Sequence, residues 1–221
     1  MHCHSYIFFD SEPSLNSIFE TELEIRKKLF IEVIHKHTNV RVFSFATLGF
    51  KARTRFMLWI QAGTAEEIQH LVRDLLHTQL GKHLRIEYSL FGLTRTSHYN
   101  SRPKEHQEEK ELGDLPRKKY LIVYPFTKTK EWHVKEFEER KRIMIGHMKV
   151  GGKYGMIEQQ LLYGYGVDDH EFILSYETDV LMDFQNLVME LRNHEGRLYT
   201  QNDLPVFTCI YGTLEETLKV L

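Results

Sequence analysis

Apolar residues recur along this chain with two periods, and the switches between them mark out the elements. Residues 6–9 are a short aromatic and β-branched run that reads as a strand. Residues 20–37 carry Leu23, Ile25, Leu29, Phe30, Val33 and Ile34 at helical spacing. Residues 40–46 and 55–61 read as strands around a turn at 49–52. Thr64, with Glu67 three positions on, has the form of a capping box and opens a helix that runs to about Leu80. Residues 84–93 form a fourth strand.

The stretch 97–118 breaks this pattern. It is polar and charged, holds Pro103 and Pro116, and has no apolar period, so it is expected to be a linker or a flap over a site. The first order of elements then repeats: a strand at 120–124, a helix at 131–150, strands at 156–165 and 171–177, a helix at 180–191 and a last strand at 206–211. Two βαββαβ units imply an α+β fold of two ferredoxin-like halves, each with its helices on one face of an antiparallel sheet. The expected divisions are 1–96 for the first half, 97–118 for the connection and 119–221 for the second half, which carries the candidate site.

That site centres on 124–160. The segment holds YPFTK (124–128), then a helical run in which His147 falls one turn after Ile143 and Met144, then GGKYG (151–155), then a strand with Gln159 and Gln160. The spacing turns His147 inward. Two readings fit a lone inward histidine: a core residue with its ring hydrogen-bonded, or an axial iron ligand. Tyr124, at a strand end, is either half-buried packing or a redox-active phenol. Lys128 is either an exposed loop lysine or a cation for a carboxylate. His35 and His37 end the first helix much as His147 ends the third. The first half has no counterpart of YPFTK.

Composition narrows the setting. The chain has 221 residues, 42% hydrophobic and 27% charged, as for an ordinary globular protein with ample core. A net charge of -2 gives no electrostatic case for nucleic acid or an anionic membrane. Cys3 and Cys209 are too few for a disulfide framework or a zinc site. His2 and His4 flank Cys3 and offer only adventitious metal binding. No apolar run has signal or membrane-spanning length, so a soluble, cytoplasmic protein without a membrane partner is expected. Phosphate-binding glycine loops, HExxH and GxSxG are missing.

Several segments together resemble the chlorite dismutase-like family of haem proteins. They are YPFTK, EER with the later histidine (138–140 and 147), GKY (152–154), GVDDHEF (166–172), LVMELR (187–192) and YTQNDLPVFTCI (199–210), in family order. The resemblance implies a dimeric α/β barrel of two ferredoxin-like repeats, commonly a homopentamer, binding an iron porphyrin. It makes His147 the iron ligand with Glu195 as its acidic partner. Tyr124 becomes the oxidised phenol of the coproheme decarboxylase branch. Pro125, Phe126, Thr127 and Lys128, with backbone amides of this loop, become the surroundings of a propionate. Arg192 matches a family arginine, and Arg197 stands where the family has a small serine. Gln160 falls where chlorite-decomposing members carry arginine, although a one-residue gap could shift the match to Gln159. A carboxamide there would retain a hypochlorite-like species poorly, so chlorite dismutation is disfavoured.

The implied activity is oxidative decarboxylation of iron coproporphyrin III (coproheme) to haem b, with hydrogen peroxide as oxidant. The alternatives are a haem b-dependent peroxidase-like protein and a haem-binding or structural oligomer without turnover.

Overall fold

The computed structural model describes residues 2–95, 99 and 112–221. Most of the expected connection, positions 97, 98 and 100–111, lies outside the described residues. The chain divides into two compact units: Met1–Leu93 with Phe207–Leu221, and Thr94–Val206. The sequence reading kept 119–221 in one half, whereas here the C-terminal segment groups with the first unit.

In the first unit the elements run β1 (Cys3–Ser11), α1 (Glu20–Lys36), β2 (Val40–Ala46), β3 (Phe56–Ala62), α2 (Ala65–His77) and β4 (Leu84–Leu93). The sheet order is β4–β1–β3–β2, all antiparallel, which is the ferredoxin-like arrangement. Strand β9 (Phe207–Gly212) adds to β2 through Ser44↔Gly212 and Ala46↔Ile210, and the short helix α6 (Leu214–Thr217) follows it. Thr64 and Glu67 do form the capping box. One sheet face sends Cys3, Ile7, Phe9, Leu58 and Ile60 against Phe30, Ile34, Leu71 and Leu75 of the helices, making the core. The other face carries His4, Tyr6 and Trp59. The Trp59 indole donates to His4 Nδ1 at 3.1 Å. Burial, with His2 adding to it, pushes the His4 ring down to about 3, so it is held neutral.

The second unit runs β5 (Tyr120–Lys128), α3 (Lys130–Val134), α4 (Phe137–Gly151), β6 (Glu158–Tyr163), β7 (Phe172–Thr178), α5 (Leu181–Arg192) and β8 (Thr200–Asn202). Its sheet order is β6–β7–β5–β8, again antiparallel. The helix expected over 131–150 is two helices. The backbone opens to extended geometry at Lys135 and Glu136, and Trp132 is buried from the short first piece. Glycine and proline, the usual breakers, are absent from this break.

The end of the expected linker is firmly held. Arg117 donates to Glu177 at 2.6 Å, both side chains being buried, and the Lys118 amide donates to the other carboxylate oxygen at 3.1 Å. Burial raises the Glu177 carboxyl to about 6, with Arg117 opposing the shift.

Candidate haem site

Strand register decides which side chains share a face. Residues directly opposite in an antiparallel pair point the same way, and neighbours along a strand point apart. Tyr124 lies opposite Leu174, Phe126 opposite Phe172, and Ile122 opposite Tyr176. Across the next pairing, Gln159 lies opposite Tyr176, Leu161 opposite Leu174, and Tyr163 opposite Phe172. One face of this sheet therefore carries Ile122, Tyr124, Phe126, Gln159, Leu161, Leu174 and Tyr176, and the Lys128 ammonium reaches the Phe126 ring on it. Tyr176 meets Phe184 of α5 on that side, with ring centroids 5.1 Å apart, so this face is turned toward the helices. Phe126, Leu161, Phe172 and Leu174 are only half-buried there, so the face is apolar and partly open.

The same register corrects the glutamine assignment. Gln160 lies opposite Ser175, on the other face, and is buried with its Oε1 unbonded. Gln159 is the carboxamide on the Tyr124 face, and it is exposed. Pro125 and Thr127 also alternate away from Tyr124. The Lys128 amide is occupied by Glu171, to which it donates at 2.8 Å, so it is not free for a bound carboxylate as expected.

Two groups of candidate residues come together on this face. In the first, Lys128 is buried, its Nζ 4.2 Å from the Trp132 ring centroid and 4.9 Å from that of Phe126. Burial lowers its ammonium to about 8, against the pull of Glu171. This places Lys128 between aromatic rings rather than in an exposed loop. It also stands close enough to His147 to act on it. Burial, then Lys128, then His194 together lower the His147 imidazole to about 4, so the ring is neutral with a free lone pair near neutral pH. The ring takes no hydrogen bond among the described residues. Its Nδ1 faces the 3-10 turn Glu195–Tyr199, where a Cβ on Gly196 would sit 3.8 Å from it.

The expected acidic partner is engaged elsewhere. Glu195 accepts from Arg142 at 2.7 and 2.9 Å and is not bonded to His147. What flanks His147 is His194, with ring centroids 6.0 Å apart and planes at 74°. His194 caps the same turn, its Nδ1 accepting from the Gly196 amide at 3.1 Å. The sequence reading passed over His194, although it adjoins Glu195.

The second group surrounds Tyr124. Its phenol is held well above its ordinary range by burial, then by the Tyr176 hydroxyl and the Asp203 carboxylate, with Arg192 opposing. Arg192 and Arg197 both donate to Asp203 Oδ2, at 3.2 and 2.7 Å. Three expected residues, Tyr124, Arg192 and Arg197, are thus gathered around one carboxylate that the sequence reading missed. The signal for Asp203 was its sign: an acid six residues beyond Arg197 and eleven beyond Arg192.

A partly open apolar face, a neutral imidazole and two guanidinium groups beside a phenol are the kinds of group an iron porphyrin would use. These are a surface for the macrocycle, a nitrogen donor for iron, and cations for carboxylates. Among the described residues no group of three or more His, Cys, Asp or Glu side chains could hold a metal ion.

Comparison with known proteins agrees. The chlorite dismutase family profile matches residues 21–212. A curated coproheme decarboxylase from Mycolicibacterium smegmatis is 29% identical over 161 residues, covering 72% of this chain and 68% of that protein. A chlorite dismutase variant from Candidatus Nitrospira defluvii shares the fold at a TM-score of 0.90 and 23% identity, over 99% of this chain and 94% of that one. The chlorite dismutase of the same organism in complex with imidazole gives 0.88 at 21% identity over the same shares.

Proposed function

The chain belongs to the chlorite dismutase family, and from that premise we propose that it converts iron coproporphyrin III to haem b by peroxide-dependent oxidative decarboxylation. The observation that carries this reading is the phenol of Tyr124 set beside Arg192, Arg197 and Asp203 on the face that bears a neutral carboxamide, Gln159. It accords with the coproheme decarboxylase at 29% identity.

Bound iron porphyrin supplies the centre that takes up the oxidising power of peroxide. In each decarboxylation a propionate becomes a vinyl group with loss of carbon dioxide and two electrons, and one peroxide is reduced to two waters. The protein's part is positional and electrostatic. His147 would hold iron through Nε2, since its Nδ1 faces Gly196. Burial first, and the nearby Lys128 ammonium second, keep the His147 imidazole neutral and able to donate its lone pair. Arg192 and Arg197 present cations to a substrate carboxylate, and Asp203 holds both guanidiniums in place until then. Tyr124 stands next to them as the phenol that is oxidised.

Gln159 brings no fixed charge to hold a chlorite-derived anion, which ranks chlorite dismutation below decarboxylation. Rapid oxygen evolution from chlorite would reverse that order. The test of the main reading is the mass of the porphyrin after iron coproporphyrin III and peroxide are mixed with the protein. Loss of two carboxyl groups is expected. A Soret band with unchanged porphyrin mass would identify a carrier or a peroxidase-like protein instead.

A further inference from the structure

Tyr124 does not stand alone. Tyr176 is stacked on it, with ring centroids 6.0 Å apart and planes within 17° of parallel. The two are on neighbouring strands with side chains on one face, since Tyr176 lies opposite Ile122, two residues before Tyr124. Each phenol also shifts the ionisation of the other. Phe184 packs on the far side of Tyr176, and only 3% of Tyr176 is exposed.

We propose that Tyr176 is a second redox phenol, the hydrogen-atom donor that re-reduces an oxidised Tyr124. This rests on the reading of Tyr124 as the phenol that peroxide-derived oxidant attacks. In that first event Tyr124 gives up one electron and its hydroxyl proton, both of which end in water. In the step proposed here the O–H bond of Tyr176 breaks homolytically and a new O–H bond forms on Tyr124. Tyr124 returns to a phenol and Tyr176 becomes the phenoxyl radical. No charge is created at any point. That matters in this place, because burial opposes the ionisation of both phenols, while a neutral hydrogen atom escapes that penalty. The near-parallel rings, with centroids 6.0 Å apart, hold the two phenols side by side. The buried radical on Tyr176 is then shielded from solvent, while Tyr124 is restored beside the arginines.

The experiment places 3,5-difluorotyrosine at position 124, where fluorine hyperfine splitting marks any radical on that ring. The porphyrin-free protein is oxidised by flash photolysis of ruthenium tris-bipyridine with persulfate, and electron paramagnetic resonance is recorded with Tyr176 intact and with Tyr176→Phe. Loss of the single hydroxyl keeps the ring and its packing. With Tyr176 present, the fluorine-split signal is expected to give way to an unsplit tyrosyl signal; in Tyr176→Phe the split signal persists. Identical spectra with and without the Tyr176 hydroxyl would overturn the proposal, as would failure to form any fluorine-split radical. Porphyrin mass after peroxide is read separately on the same proteins. Absence of decarboxylation with normal radical transfer would sink the enzymatic reading and leave the role of Tyr176 standing.

Discussion

At the scale of single residues, side chains on and around one sheet face have distinct parts. His147→Ala should weaken iron-porphyrin binding by on the order of tenfold or more, each decade being about 1.4 kcal/mol, as read from a titration of the Soret band. Tyr124→Phe should leave that titration unchanged and abolish the mass loss. The reverse pattern would mean the two roles are exchanged. The glutamines give a sharper contrast. Gln159→Ala should alter the absorption spectrum of the loaded protein with little effect on stability, since Gln159 is exposed. Gln160→Ala should spare the spectrum and lower thermal stability, since Gln160 is buried on the opposite face.

That contrast also shows where sequence reading stops. Alternation along β6 was legible and guarantees that one glutamine of the pair shares the Tyr124 face. Which one depends on the pairing of β6 with β7, and no single strand carries its own register. The same limit hid Tyr176, whose importance lies entirely in standing opposite Ile122. Glu195 was misassigned for a different reason: a nearby arginine, Arg142, competes for its carboxylate, and a chain position does not disclose which partner wins.

At the scale of elements, features set by local chemistry were legible. β2 and β4 have the expected bounds, and the capping box on α2 is formed as written, because a hydroxyl and a carboxylate three residues apart satisfy each other's backbone donors without distant help. Thr64→Ala should cost about 1 kcal/mol in chemical denaturation. The break between α3 and α4 was invisible, since it comes from Trp132 turning inward to meet Lys128 and Tyr199 rather than from a breaking residue. β8 was missed too: its three residues are a strand only by pairing with Thr127 and Lys128. The end of the supposed linker is fixed by a buried ion pair. Removing one member strands a buried charge, so Arg117→Ala should destabilise the protein by roughly 3–5 kcal/mol, measured by urea unfolding. A loss below about 1 kcal/mol, as for an exposed pair, would show that this segment is loosely attached.

At the scale of the whole molecule, the ferredoxin-like order of the first sheet was foreseen from the repeat of elements. The grouping of Phe207–Leu221 with the first unit was not, because it depends on β9 adding to β2. Stability should also respond to acid through His4. Its folded value, about 3, lies below the ordinary 6.5, so between those values the unfolded chain binds more protons. Stability is therefore fully present above pH 6.5 and falls as pH drops toward 3, by on the order of a few kcal/mol. Glu177 works in the opposite direction over a narrower span, from its ordinary 4.5 to about 6. His4→Gln keeps an acceptor for the Trp59 indole and should flatten the decline in melting temperature between pH 6.5 and 4. An unchanged slope would remove His4 as its source. Among the described residues no helix is long and apolar enough to cross a membrane.

The most direct test of the central claim is mass spectrometry of the porphyrin after peroxide is added to the purified protein loaded with iron coproporphyrin III. The account predicts conversion of the tetracarboxylate to the dicarboxylate haem b in the parent protein and intact coproporphyrin in Tyr124→Phe. Unaltered tetracarboxylate in the parent protein, with iron porphyrin demonstrably bound, would contradict it.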